Sequence, residues 1–205
     1  MLLCDVGNTS FHFLDGDRDY KESTTTFKPE TILEKVFYIC VNPDAKDTLS
    51  RLDNWIDLSS FIDKTPYYET MGIDRIVACE ALSDNIIIDA GSAITVDIVK
   101  NGVFQGGFIY PGVNAMSQTY SNISPALKYD FNYNLNLDII PKNSADAISY
   151  GYLKLLFNEV RSHNLDVILT GGDAEKLINI FPNAKCEKEL IFNSMKKIIQ
   201  KANLC

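Results

Sequence analysis

An apolar run that passes straight into an acid, a glycine and a hydroxyl occurs twice in this chain. That pair limits the fold more than any other feature. The first copy is Leu2-Leu3-Cys4-Asp5-Val6-Gly7-Asn8-Thr9-Ser10. The second is Ile86-Ile87-Ile88-Asp89-Ala90-Gly91-Ser92-Ala93, with Asp97 eight positions beyond its acid. Both runs have the length and apolar content of short buried strands, and each leads through a tight turn into a second strand candidate, residues 10–14 and 95–99. A repeated strand–turn–strand unit among helical stretches predicts α/β layering with two similar halves.

The rest of the pattern fits around these units. Residues 35–41 read as a strand stopped by Asn42-Pro43, residues 44–56 as helical, and residues 73–82 as a helix stopped by Ser83-Asp84-Asn85. In the second half, Asn101-Gly102 predicts a hairpin. Residues 103–109 read as a strand broken at Gly106-Gly107, residues 111–127 and 144–160 as helices, residues 167–169 as a strand ending in Thr170-Gly171-Gly172, and residues 190–202 as an amphipathic helix. A boundary near Ser83 gives domains at 1–83 and 84–205.

The turns carry the chemistry. Gly7 lets a ligand approach bare backbone, and turn amides with the Asn8 and Thr9 side chains can donate to phosphate oxygens. Asp5 repels phosphate unless a hydrated Mg²⁺ stands between them. One such turn alone is explained equally by an Asx turn. The second copy, with Gly106-Gly107 and Thr170-Gly171-Gly172 beside apolar runs, favours a phosphate ligand, and a helix starting after Gly172 would add a dipole suited to anions. Gly72-Ile73-Asp74-Arg75 follows a Pro66-Tyr67-Tyr68 loop. Arg75 has the fork geometry that clamps a carboxylate, and Asp74 can accept a proton from a hydroxyl nucleophile. A helix cap with a surface arginine is the plainer reading of the same pair.

Other classes find less support. The net charge is −8 with no basic patch, which disfavours nucleic acid. The five cysteines at positions 4, 40, 79, 186 and 205 include no C-x-x-C pair; Cys4, Cys40 and Cys79 read as core residues suited to a reducing cytosol. No apolar run approaches the ~20 residues of a membrane helix, and Asp5 interrupts any leader-like run. His12 and His163 form no common site, no zinc or Ser-His-Asp spacing appears, and the Walker and dinucleotide glycine patterns are absent.

Five stretches taken in order resemble the type III pantothenate kinases. These are Asp5-Val6-Gly7-Asn8-Thr9-Ser10, Gly72-Ile73-Asp74-Arg75, Asp89-Ala90-Gly91-Ser92-Ala93-Ile94-Thr95-Val96-Asp97, Gly106-Gly107-Phe108-Ile109-Tyr110-Pro111-Gly112 and Thr170-Gly171-Gly172. The resemblance implies two ribonuclease-H-like (actin-like ATPase) domains with a nucleotide cleft between them, a cytoplasmic homodimer, and ATP-dependent phosphorylation of pantothenate at the start of coenzyme A synthesis. It implies Asp74 as general base, with Tyr68 (or Tyr67 beside it), Gly72, Ile73, Arg75 and, across the dimer, Ser144 on the substrate. ATP would be held by Asp5, Val6, Gly7, Asn8, Thr9, Ser10, Phe11, His12 and Ser92, the last replacing a family threonine. Asp5 would hold Mg²⁺ through water, and Asp89 a monovalent cation, K⁺ or NH₄⁺. The chain is short for that family, with residues 74–89 looking trimmed. Another small-molecule kinase or phosphatase on the same scaffold, and a non-catalytic ATP-binding regulator, are the alternatives.

Overall fold

The computed structural model describes residues 1–204. Its first sheet is built outward from β1 (Leu2–Val6), which is buried on both faces and therefore nearly free of polar residues. β2 (Ser10–Asp15) returns antiparallel to it, and β3 (Arg18–Ser23) follows through a turn at Gly16, whose φ of +58° suits glycine. β4 (Val36–Cys40) and β5 (Trp55–Asp57) add in parallel on the other side, giving the order β3-β2-β1-β4-β5. α1 (Pro43–Leu49) crosses from β4 to β5, and α2 (Ile73–Glu80) packs against β4. The core gathers Leu2, Cys4, Val6 and Val36 with an aromatic group of Phe11, Phe13, Tyr38 and Trp55.

That group explains one departure from expectation. Residues 44–56 are not one helix: α1 stops at Leu49, and Trp55 is drawn into the sheet. Its ring meets Phe11 and Phe13 at 6.3 Å and Tyr38 at 5.8 Å, a burial that outweighs local helical spacing. Asn54 fixes the entry, donating to Ile32 O at 2.8 Å and Glu34 O at 2.9 Å.

The second sheet repeats the arrangement. β6 (Asn85–Ala90) is central. On one side β7 (Ala93–Lys100) pairs antiparallel with it and β8 (Val103–Pro111) antiparallel with β7; on the other β9 (Asp166–Thr170) and then β10 (Lys185–Cys186) add in parallel. Asn101 and Gly102, at φ +53° and +71°, form the hairpin that their sequence predicts. β8 runs unbroken through Gly106-Gly107. The register shifts at Ile98/Val99 and Gly106 takes φ +133°, so the glycines make a bulge rather than a break. α3 (Val113–Ile123), α4 (Ser144–Ser162) and α5 (Ala174–Leu177) complete this part, whose core includes Ile86, Ile88, Val96, Leu153, Leu156 and Leu169.

The chain divides into two compact units, Met1–Ala81 joined by the segment from Glu189 onward, and Leu82–Lys188. A cut at residues 83/84 puts the closing helix with the second half. Instead α6 (Leu190–Lys201) packs on α2, on β1 and on the 3-10 turn Leu58–Phe61 of the first unit. Phe192 lies 4.8 Å from the His12 ring, and Lys197 Nζ donates to Ala81 O at 3.1 Å. Among the described residues no helix is long and apolar enough to cross a membrane. Cys4, Cys40 and Cys79 are buried and Cys186 is exposed.

Candidate active site

In the first unit, β1 ends at Val6 and the chain turns at Gly7, whose N–H donates to Ser10 O at 3.0 Å. The turn is held from behind. Val41 N–H donates to Val6 O at 3.0 Å, Thr24 N–H to Thr9 O at 3.1 Å, and Asn42 Nδ2 and Thr24 Oγ1 both donate to Asn8 O at 3.3 Å. The Asn8 and Thr9 side chains remain exposed. A Cβ on Gly7 would meet only Ser10 O at 3.6 Å, an ordinary contact, and the backbone there is not left-handed. The protein's own packing therefore does not require glycine; its absence of side chain leaves backbone open to a ligand. Asp5 is half-buried, in register with His12 on β2 and Ile39 on β4. Burial first, and the Asp5 charge second, push the neighbouring Cys4 thiol well up. Phe11 lies in the aromatic core, His12 Nε2 is 2.7 Å from Asp19, and both residues are in register with β1 on one side and β3 on the other.

The end of β4 links this turn to the second motif. Val41 follows β4 and packs beside Gly72, 3.8 Å from where a Cβ would stand. Gly72 caps α2 in extended conformation. Asp74 follows in the first turn, its Oδ1 accepting from Arg75 N–H at 2.8 Å. A Cβ on Gly72 would come within 2.5 Å of that Oδ1, so here the glycine is needed for the carboxylate to lie over the helix start. Arg75 is only 7% exposed. Its Nη1 donates to the Tyr68 hydroxyl at 2.5 Å, with Cζ 5.8 Å from the Tyr68 ring centre. Tyr67 instead donates to Glu80 Oε1 at 3.0 Å. Tyr68 is thus the tyrosine that meets the Gly72–Arg75 motif. Both tyrosines, with Gly72 and Ile73, line a cleft of about 480 Å³ floored by Met71 and Ile76.

In the second unit, Asp89 stands at the end of β6, opposite Thr95 on β7 and Thr170 on β9. Gly171, at φ +88°, packs so tightly on the Asp89 carboxylate and Ala90 O that a Cβ there would overlap both, and Asp173 N–H donates to Ala90 O at 2.9 Å. Gly91 N–H donates to Ala93 O at 3.0 Å, and Gly112 N–H to Ser92 O at 3.1 Å. Gly112 has no room for a side chain against Ser92 O, whereas Gly91 does, with only Ala93 O at 3.6 Å. The two turns are alike in this respect: each has a glycine that packing does not demand. Asp97 is 1% exposed, in register with Gly107. Ser92 is exposed, and so is Ser144, the first residue of α4, capped by Asn143 Oδ1 accepting from Asp146 N–H at 2.9 Å. The helix after Gly172 is the single turn α5, too short for the dipole effect expected of it.

The candidate residues thus fall into sets. Residues 5–12, Tyr68 and Gly72–Arg75 belong to the first unit, and Asp89, Ser92 and Ser144 to the second. As a site residue, Asn42 escaped the sequence reading. It both holds Asn8 O and caps α1 through Ala45 N–H at 3.1 Å, and the Asn-Pro pair at a helix start was the available signal.

The family model of type III pantothenate kinases matches residues 56–163. A type III pantothenate kinase of Sulfurimonas denitrificans is 58% identical over 205 residues, covering 100% of both chains, so the short length is shared with that relative. A solved structure from Campylobacter jejuni, assigned to the Baf family of transcriptional activators, superposes with a TM-score of 0.89 at 39% identity over 100% of both chains. A Sinorhizobium meliloti structure assigned as a 2-dehydro-3-deoxygalactonokinase has a TM-score of 0.56 at 10% identity over 98% of both chains, a likeness of fold alone. On the family match and the full-length identity, this chain belongs to the type III pantothenate kinase family.

Proposed function

We propose that this chain transfers the γ-phosphoryl group of ATP to the primary hydroxyl of pantothenate, giving 4'-phosphopantothenate at the entry to coenzyme A synthesis. Beyond family membership, the observation that carries this reading is the Asp74 carboxylate, held over Gly72 where α2 begins, next to the cleft lined by Gly72, Ile73 and Tyr68. Asp74 acts as general base. A carboxylate is weak against an alcohol, so the proton moves late, as the new bond to phosphorus forms. Arg75 holds Tyr68 in place, and the pair shapes the wall that orients the substrate.

The turn at Gly7, from Asp5 to His12, binds phosphate through backbone amides and the Asn8, Thr9 and Ser10 side chains; Ser92 contacts ATP from the turn at Gly91. Both turns fit a phosphate chain in that the missing Cβ serves no internal contact. Among the described residues no three His, Cys, Asp or Glu side chains gather as a metal site. That suits a Mg²⁺ held through water and phosphate with Asp5 as its protein carboxylate. When bound, the divalent ion offsets charge on the transferring group. Asp89, fixed against Gly171, is the candidate for K⁺ or NH₄⁺. Exposed Ile109, Ile123, Ile139, Ile140 and Leu155 of the second unit favour a homodimer in which Ser144 serves the partner's substrate. The buried free thiols of Cys4 and Cys40 suit the cytoplasm.

The Campylobacter structure is named as a transcriptional activator, and a regulator on this scaffold is the second reading. The decisive measurement is ADP release on adding pantothenate, with and without potassium, beside a panel of sugars and short hydroxy acids. Pantothenate-dependent ADP, stimulated by K⁺ or NH₄⁺ over Na⁺, is expected. ATP binding without any pantothenate-dependent ADP would favour the regulator.

A further inference from the structure

The cleft of the first unit carries charge that the residues assigned so far do not use. Lys46 on α1 and Lys64 in the loop before the tyrosines both line it. Both are exposed, and neither makes an ion pair among the described residues. Elsewhere Arg51, Lys176, Lys185 and Lys188 are each paired with a carboxylate. One acid, Glu69, also lines the cleft, leaving an excess of positive charge there in a chain of net charge −8. The floor is apolar, with Met71 and Ile76 buried. Arg75, the cation that the sequence offers for a carboxylate, is buried with its Nη1 given to Tyr68.

Pantothenate has a hydroxyl at one end, a dimethyl-bearing carbon and an amide along its length, and a carboxylate at the other end. We infer that Lys46 and Lys64 read that carboxylate, while the apolar floor takes the body and the Gly72–Asp74 segment takes the hydroxyl end. This rests on the proposed function and adds its specificity: the two ammonium groups select an acid over its neutral amide or alcohol analogues. Lysine suits a mobile carboxylate at an open rim, as a point charge without fixed fork geometry.

The test uses the full chain with Lys46→Met, Lys64→Met and the double variant, which keep the aliphatic stems. Each single change raises KM for pantothenate about threefold and the pair about tenfold, the range of charge-assisted contacts at partly open sites. The values of kcat and of KM for ATP stay close to those of the parent, the signature of lost ground-state binding. Lys46→Arg restores most of the loss. With pantothenamide, whose carboxylate is capped as a neutral amide, parent and double variant behave alike. An unchanged KM for pantothenate in the double variant, or an equal loss with the amide, overturns the inference. Calorimetric titration of pantothenate into the same proteins separates the two claims. Lysine-dependent binding without turnover by the parent retains the carboxylate site and removes the kinase reading. Turnover with lysine-independent binding does the reverse.

Discussion

Gly72, Gly112 and Gly171 are glycines because a side chain would strike Asp74, Ser92 or Asp89, whereas Gly7 and Gly91 have room for one. The distinction separates structural from ligand-facing roles and is testable. Gly112→Ala should destabilise the protein by about 1–3 kcal/mol, as overpacking does, read as a lower denaturation midpoint. Gly91→Ala should leave that midpoint nearly unchanged and weaken ATP binding. Asp74→Asn should keep fold and ATP affinity while turnover falls at least ~10²-fold; near-normal turnover in that variant would take Asp74 out of the chemistry. Asp89→Ala should weaken ATP binding and remove potassium stimulation, and a retained salt response would place the cation elsewhere. The acids and glycines of the turns at Asp5 and Asp89 were legible in the sequence because each follows an apolar strand, and Asp74 because it stands beside an arginine at a helix start. Asn42 was legible as a stop before Pro43, but its hold on Asn8 O was not, because that depends on which loops fold side by side. The different partners of Tyr67 and Tyr68, Glu80 and Arg75, likewise depend on the direction of each side chain.

At the scale of elements, the buried central strands and long helices were legible, since apolar runs and helical spacing report burial directly. The misses are edge elements. β3 is Arg18–Ser23, polar and almost wholly exposed, and gains its place only by pairing with β2. β5 owes its existence to Trp55 joining the aromatic core, and β10 is two residues long. α6 shows the opposite case: its extent was readable but its partner was not, because an amphipathic face does not name the surface it covers. Its Phe192 is 1% exposed and lies edge-on to His12. Phe192→Ala should cost about 3–5 kcal/mol, the range for emptying a buried aromatic site. Urea unfolding followed by the fluorescence of Trp55, which belongs to the same unit, checks it; an unchanged midpoint would mean that α6 contributes little to that unit.

Across the whole molecule the two units share one strand order, with each central strand paired antiparallel on one side and parallel on the other. Each unit also buries phenols that resist ionisation. Burial, with Asp57 and Cys40 nearby, pushes Tyr38 up to about 12; burial and Asp173 push Tyr133 to about 12; burial and neighbouring tyrosines raise Tyr152 further. Unfolded phenols lose their protons near pH ~10. Between that point and the folded values the unfolded chain binds fewer protons, so stability falls as pH rises, and below it this contribution is complete. The raised Cys4 and Cys40 thiols act in the same sense from about pH 8.5, where unfolded thiols ionise. Denaturation midpoints should therefore hold level up to about pH 8 and drop by pH 11; a midpoint still level at pH 11 would show that these phenols and thiols ionise freely. The return of α6 to the first unit has a further consequence, for synthesis. The segment Leu82–Lys188 is contiguous, and a ribosome can release it ready to fold. The part made earliest lacks α6 until residues from Glu189 onward emerge, so a chain stalled before Glu189 would leave the surface of α2 and β1 that α6 packs on uncovered.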